Sequence, residues 1–181
     1  MDKGLASLRQ HDVPFIDVKT EKEFVAALDA VEKSGQQFST LCVDDITELA
    51  EMILREQKPV HKDARQAYGE MQDRILAHVR RLRDLKSGHN VYIIAKQDRI
   101  KDFSGGLIFG PNMPGQNLSQ LLPHLVDEVY YYQVWTDPAD NQVKRALRTF
   151  QDSQYCGKSR CQAIAPFEFP DLNHVFSKLR G

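Results

Sequence analysis

Apolar positions along the chain change period several times, and each change marks an element. Phe38, Leu41, Cys42 and Val43 form a short apolar run that predicts a buried strand. It stops on Asp44 and Asp45. Apolar residues then return at helical spacing through Ile46, Leu49, Ile53 and Leu54, predicting a helix that ends around Lys58-Pro59. Upstream, Val13 to Val18 reads as a brief strand with Pro14 near its start, where a missing N–H does least harm. Thr20 precedes Glu23 by three, a capping box that opens a helix with Phe24, Ala27, Leu28 and Val31 on one face and a stop near Gly35. Ala64 to Lys86 is the longest periodic stretch, with Tyr68, Met71, Ile75, Val79 and Leu82 as its apolar stripe. Its arginines, Arg74, Arg80, Arg81 and Arg83, read as a solvated face in preference to a DNA-facing one.

Asn90 to Ala95 is a second buried-type strand, and it finishes on Lys96, Gln97 and Asp98. Residues 98 to 117, with Gly105, Gly106, Gly110, Pro111, Pro114 and Gly115, read as a long functional or mobile loop. Leu118, Leu121, Leu122 and Leu125 look helical, with Pro123 setting a break or a fresh start. Glu128 to Trp135 is β-prone, and Val143 to Phe150 is placed to pair with it across the Asp137-Pro138 turn. From Pro170 a last amphipathic helix carries Leu172, Val175, Phe176 and Leu179. Strands alternating with helices at this spacing predict an α/β fold with a mostly parallel sheet, three layers deep, plus a C-terminal β-hairpin and helix.

Composition narrows the class. At 181 residues the chain reads as one domain. Lys+Arg 24 against Asp+Glu 25 gives no overall field for nucleic acid, so any basic surface must be local. Three cysteines argue against a disulfide scaffold, and Cys156 and Cys161 lack a second pair to make a metal site. With no long apolar run and no signal-like start, the expectation is a soluble, cytoplasmic protein without membrane contact.

The candidate chemistry gathers at the ends of the two buried strands. A strand that delivers a carboxylate at its C-terminal end, just before a helix, is how open α/β sheets build sites. In nucleotide-hydrolysing proteins an acid there holds the Mg²⁺ that bridges the phosphates. The plainer reading is an N-cap. Gly157-Lys158-Ser159 is the one place that spells the end of a phosphate-binding loop, but Asp152 stands where the first glycine belongs. Neither a preceding strand nor room for a following helix is apparent before Pro166, so the segment is rejected as a Walker A motif.

The order of parts nevertheless resembles the RecA-type ATPase core, and more narrowly the phage nucleotide-binding proteins of the AAA/RecA group associated with single-strand annealing and recombination. The resemblance starts at Met1-Asp2-Lys3-Gly4 and runs through VPFIDVKTEKEF, FSTLCVDDITEL and NVYIIAKQDRI to GPNMPGQNLSQLLPHLVDEVYYYQV and YCGKSR. It implies that Asp44 is the Mg²⁺ acid and Gln97 the γ-phosphate sensor. Asp2, Asp45 and Lys96 would sit beside ATP, and Lys158 and Arg160 would stabilise charge on a neighbouring subunit's nucleotide. It also implies a mobile DNA-facing loop over residues 99–116, with Arg99 and Lys101 contacting single-stranded DNA. The family's first strand, P-loop, following helix and second strand are missing from the match, so the chain is expected to begin downstream of them. Residues 1–181 would then be one RecA-like core without its Walker A segment, binding ATP weakly and not hydrolysing it unaided. Self-association or pairing with a P-loop-bearing relative follows from that reading. The alternative is a P-loop-free interaction protein that binds DNA, a full-length relative or a host factor through the retained surface.

Overall fold

The computed structural model describes residues 11, 13–35, 37–85, 88–102 and 104–180. Asp2 therefore lies outside the described residues. The first helix, α1 (Glu21–Ser34), starts where the capping box places it: Thr20 Oγ1 accepts from Glu23 N–H, and Glu23 reaches back to the N–H of Lys19. The strand β1 (Thr40–Val43) leads into α2 (Ile46–Gln57), capped by Asp45, and then into the 20-residue α3 (Ala64–Arg83), capped by Asp63. The next strand, β2 (Asn90–Ile93), pairs with β1 in parallel, Thr40 opposite Asn90 and Val43 opposite Ile93. The two strands thus run side by side in one direction, as the alternation of strands and helices predicts. β1 is not, however, the buried strand its apolar run predicts: only one face packs on the helices, so Phe38 and Cys42 are exposed.

Leu41, Val43, Val91, Ile93 and Ala95 pack against a core in which Ile46, Ile53, Met71, Ile75, Val79 and Leu82 are fully buried. The expected stripe of α3 is buried except Tyr68, which is exposed. Glu21 at the start of α1 ties the three helices together. Its carboxylate accepts from Arg74 (2.6 Å) and meets His78 (2.7 Å) on α3, while its N–H donates to Glu56 on α2.

Three expectations change. Residues 13–19 form no strand: Val13, Phe15 and Ile16 stay exposed, because no neighbouring strand among the described residues offers Pro14 and its flanks a ladder. The Gly-rich stretch is not a structureless loop but a hairpin, β3 (Gln97–Lys101) against β4 (Leu107–Pro111). Asp102 builds its turn by accepting from Ser104 and Gly106 N–H, and Gly105 supplies φ +87°. The sheet is not one mostly parallel layer. The described strands form three small sheets, and only β1–β2 is parallel. The three-layer core is to that extent an expectation, and what stands is a mixed α/β fold with five helices.

The fourth helix, α4 (Gln116–Leu125), runs straight through Pro123, which sits close enough to the end that one missing N–H does not stop it. The expected hairpin forms from β5 (Tyr131–Thr136) and β6 (Val143–Arg148), closed by a turn in which Asn141 takes φ +55°. A short β7 (Phe167–Glu168) adds to β6, and α5 (Leu172–Arg180) buries Val175 against Leu147 and Ile164 in a second cluster. No described helix is long and apolar enough to cross a membrane.

Two stability outcomes follow. Replacing Glu21 with Gln leaves Arg74 and buried His78 without their carboxylate. Arg74 keeps Glu70 and is partly solvated, so the loss should be about 1–3 kcal/mol in urea unfolding. Glu168 is buried; burial raises its pKa, but hydrogen bonds from Lys178 and from Ala165 N–H outweigh that and hold it below the ordinary glutamate value of 4.5. A lowered folded pKa means stability present above the unfolded value and lost as pH falls below it. Glu168→Gln should be less stable near neutrality and should flatten the acid limb of the stability–pH curve below pH 4.5.

Candidate functional site

Parallel pairing brings the C-terminal ends of β1 and β2 to one edge of the core. Asp44 leaves β1 exposed, with no hydrogen-bond or ion-pair partner among the described residues. The peptide to Asp45 is cis. Asp45 turns the other way and caps α2, its Oδ1 accepting from Glu48 N–H at 2.7 Å. The N-cap and metal-acid readings therefore fall on different residues: Asp45 is the cap, and Asp44 is the free carboxylate. The charge on Asp44 adds to partial burial in raising the pKa of Cys42, and both Cys42 and Asp44 add to burial in raising that of Tyr92, its cross-strand partner.

Sequence reasoning missed Thr47. It is buried, and its hydroxyl donates to Asn112 C=O (2.8 Å) while accepting from Lys96 N–H (3.1 Å). One side chain thus joins the start of α2, the end of β2 and the exit of the β3–β4 hairpin. Ile46 N–H reinforces this by donating to Ile94 C=O at 2.9 Å. A threonine two residues past the acidic pair was the available signal; its burial was not.

Lys96 is not free for a ligand: its ammonium pairs with Glu48, which raises the lysine pKa and lowers the glutamate's. Gln97 opens β3 and lines a cleft of about 630 Å³ that runs along β2. Asp44, Asp45, Lys96 and Gln97 therefore share one end of the fold, as expected. The amides at the head of α2 are committed elsewhere, Ile46 N–H to Ile94, Glu48 N–H to Asp45 Oδ1 and Leu49 N–H to Asp45 C=O. That helix start consequently offers little to a phosphate. A lone exposed carboxylate suits Mg²⁺, which keeps several waters and shares its shell with phosphate oxygens. It does not by itself suit a triphosphate. No cluster of three or more His, Cys, Asp or Glu able to hold a metal occurs among the described residues.

Lys158 and Arg160 sit apart from this group, and only Arg160 is exposed as a cation reaching toward a neighbouring subunit would be. Lys158 is half-buried; its ammonium donates to Pro123 C=O (2.7 Å) and to Val126 C=O, capping the end of α4. Burial and then the nearby Arg160 lower its pKa. Arg160 is exposed and pairs with Asp127 at 2.7 Å. None of their hydrogen bonds runs to Asp44, Asp45, Lys96 or Gln97. Gly157 has a packing reason to be glycine: a Cβ there would lie 2.4 Å from Phe150 C=O. That accounts for the Gly-Lys-Ser string without a phosphate. Arg99 and Lys101 lie on β3, ordered in a ladder, with the Arg99 guanidinium 5.3 Å from the Phe109 ring centre.

A family profile described as AAA domain matches residues 1–161. No curated protein and no solved structure matches the chain.

The capping geometry separates the two cations. Lys158→Met should cost about 1–3 kcal/mol in chemical denaturation, because two buried-side carbonyls lose a charged donor. Arg160→Ala removes an exposed pair and should change stability by under about 1 kcal/mol. Equal effects in the two variants would refute the cap.

Proposed function

The chain belongs to the AAA domain family, whose members are nucleotide-binding modules of the ATPase type, and from that premise we propose a RecA-like protein of phage DNA recombination or single-strand annealing. The observation that carries this reading is the parallel β1–β2 pair, which sets the free carboxylate of Asp44 at the same end as Lys96 and Gln97. In this reading Asp44 would hold Mg²⁺ by its carboxylate, directly or through water, and Gln97 would meet the terminal phosphate. The cation, when bound, neutralises charge on the β- and γ-phosphates. Asp45 and Thr47 act by fixing the strand ends rather than by touching nucleotide. Arg160, exposed and held by a single solvated pair, is the cation able to swing toward a neighbouring subunit; Lys158 is committed to α4. Arg99 and Lys101 on the β3 edge are proposed to meet DNA phosphates.

The sequence contains no complete Walker A motif, and the Ile46 and Glu48 amides at the head of α2 are already bonded, which favours weak binding and no unaided turnover. Calorimetry with ATP, with and without Mg²⁺, tests this. The expected outcome is Mg²⁺-dependent binding in roughly the millimolar range, lost in Asp44→Asn, with ATP hydrolysis at the buffer rate. Micromolar affinity that survives Asp44→Asn would overturn the assignment of the site.

A further inference from the structure

Thr47 holds the base of the β3–β4 hairpin, and the same hairpin is fastened a second time farther along. At the base, Asn112 N–H donates to Lys96 C=O at 2.7 Å, tying the two legs to each other just outside the ladder. The Thr47 hydroxyl reaches both legs, accepting from Lys96 N–H and donating to Asn112 C=O. A valine would fill the same volume. At 1% exposure a hydroxyl is tolerated because both of its bonds are made. Midway along β4, Phe109 makes the second attachment. Its N–H donates to Gln154 C=O (2.6 Å), its C=O accepts from Cys156 N–H (2.8 Å), and its ring stacks on Tyr155 at 5.4 Å. Arg160 follows four residues after Cys156. The stretch between them has no slack: a Cβ on Gly157 would lie 2.4 Å from Phe150 C=O, and Lys158 exchanges backbone hydrogen bonds with Val129 at 2.7 and 2.9 Å.

A hairpin of five registered pairs is a stiff strut of roughly 16 Å at about 3.3 Å per residue. Close-packed backbone transmits a shift instead of absorbing it. We propose that Thr47 and Phe109 are positioning residues that make this hairpin a lever, linking the strand ends around Asp44 and Gln97 to the segment that presents Arg160. Gln97 is itself the first residue of β3, so a ligand that draws it in pulls on the lever directly. Nearer the tip, Gln120 of α4 donates to Lys101 C=O and keeps the hairpin from swinging as a free arm. Occupancy at Asp44 then sets how Arg160 is offered to a neighbour. By linkage, a neighbour that draws on Arg160 alters binding at Asp44 by the same factor. What Arg160 does for a neighbour rests on the reading proposed above; the link from Thr47 to Cys156 does not.

Residue-resolved amide hydrogen exchange on the full chain, without nucleotide, measures that link. In Thr47→Val the Lys96 amide loses its acceptor and should exchange roughly tenfold faster. The Phe109 and Cys156 amides, whose bonds run elsewhere, should follow by a smaller factor while those within α1 hold steady. Thr47→Ser, which keeps the hydroxyl, should restore all three rates. From the other end, Phe109→Leu should quicken the Lys96 amide. Changes confined to Lys96 and Asn112 in Thr47→Val would overturn the lever, because they mark a local clasp. Changes spread evenly through α1 and α3 would overturn it too, as a general loss of stability. Saturating Mg²⁺·ATP then separates the two proposals. The expected result is altered exchange at Cys156 and Lys158 in the wild type and in Thr47→Ser, but not in Thr47→Val. Calorimetric binding without any change at Cys156 would overturn the link to Arg160 and leave the Asp44 site standing. Transmission from Thr47 to Cys156 in a chain that binds no ATP would uphold the lever and overturn that site.

Discussion

One constraint organises the molecule: two strands only four residues long lie parallel, and parallel strands cannot be joined by a tight turn. The connection must cross over, and here α2 and α3 make it. Their buried faces then have a fixed surface to cover, the inward row of Leu41, Val43, Val91 and Ile93. The same direction of travel delivers both strand ends, Asp44 and Lys96, to one edge. The Thr47 hydroxyl and the Ile46 amide convert that proximity into a fixed geometry. Removing the pairing would leave the helices amphipathic with nothing between them.

Much of this was legible in the sequence, where periodicity and caps agree. The capping box at Thr20 and Glu23, the stripe of α3, the two strands ending on polar residues and the β5–β6 hairpin appear where the pattern puts them. The misreadings share a cause. Gly105, Gly106 and Gly110 were weighed as breakers, whereas they make the β3–β4 hairpin: Gly105 supplies a positive φ, and Gly110 leaves room for the Ile100 side chain. Val13 to Val18 has strand chemistry but no ladder to join, and whether a partner exists is a tertiary fact that local pattern does not carry.

The candidate site shows the same division. Two adjacent aspartates are indistinguishable as letters, and only the Glu48 amide, taken by Asp45, tells which is cap and which is free. By its letters Lys158 is a cation with no acid within five positions before or after it. Its partners are backbone carbonyls at the end of α4, invisible to any count of charges. A lysine that closes a helix is a local instance of a general rule: the last turn's carbonyls must be satisfied by something.

The distance along the chain between paired residues has a kinetic meaning. Thr40 meets Asn90 fifty positions later, so β1 and β2 can zip only after that whole loop has closed. The helices in between rest on local contacts and can form earlier, with α2 and α3 docking before the strands align. The edge that gathers Asp44, Lys96 and Gln97 is then expected to be the last part of the core to assemble. In that order the helical body is in place before the buried Thr47 hydroxyl locks the strand ends together.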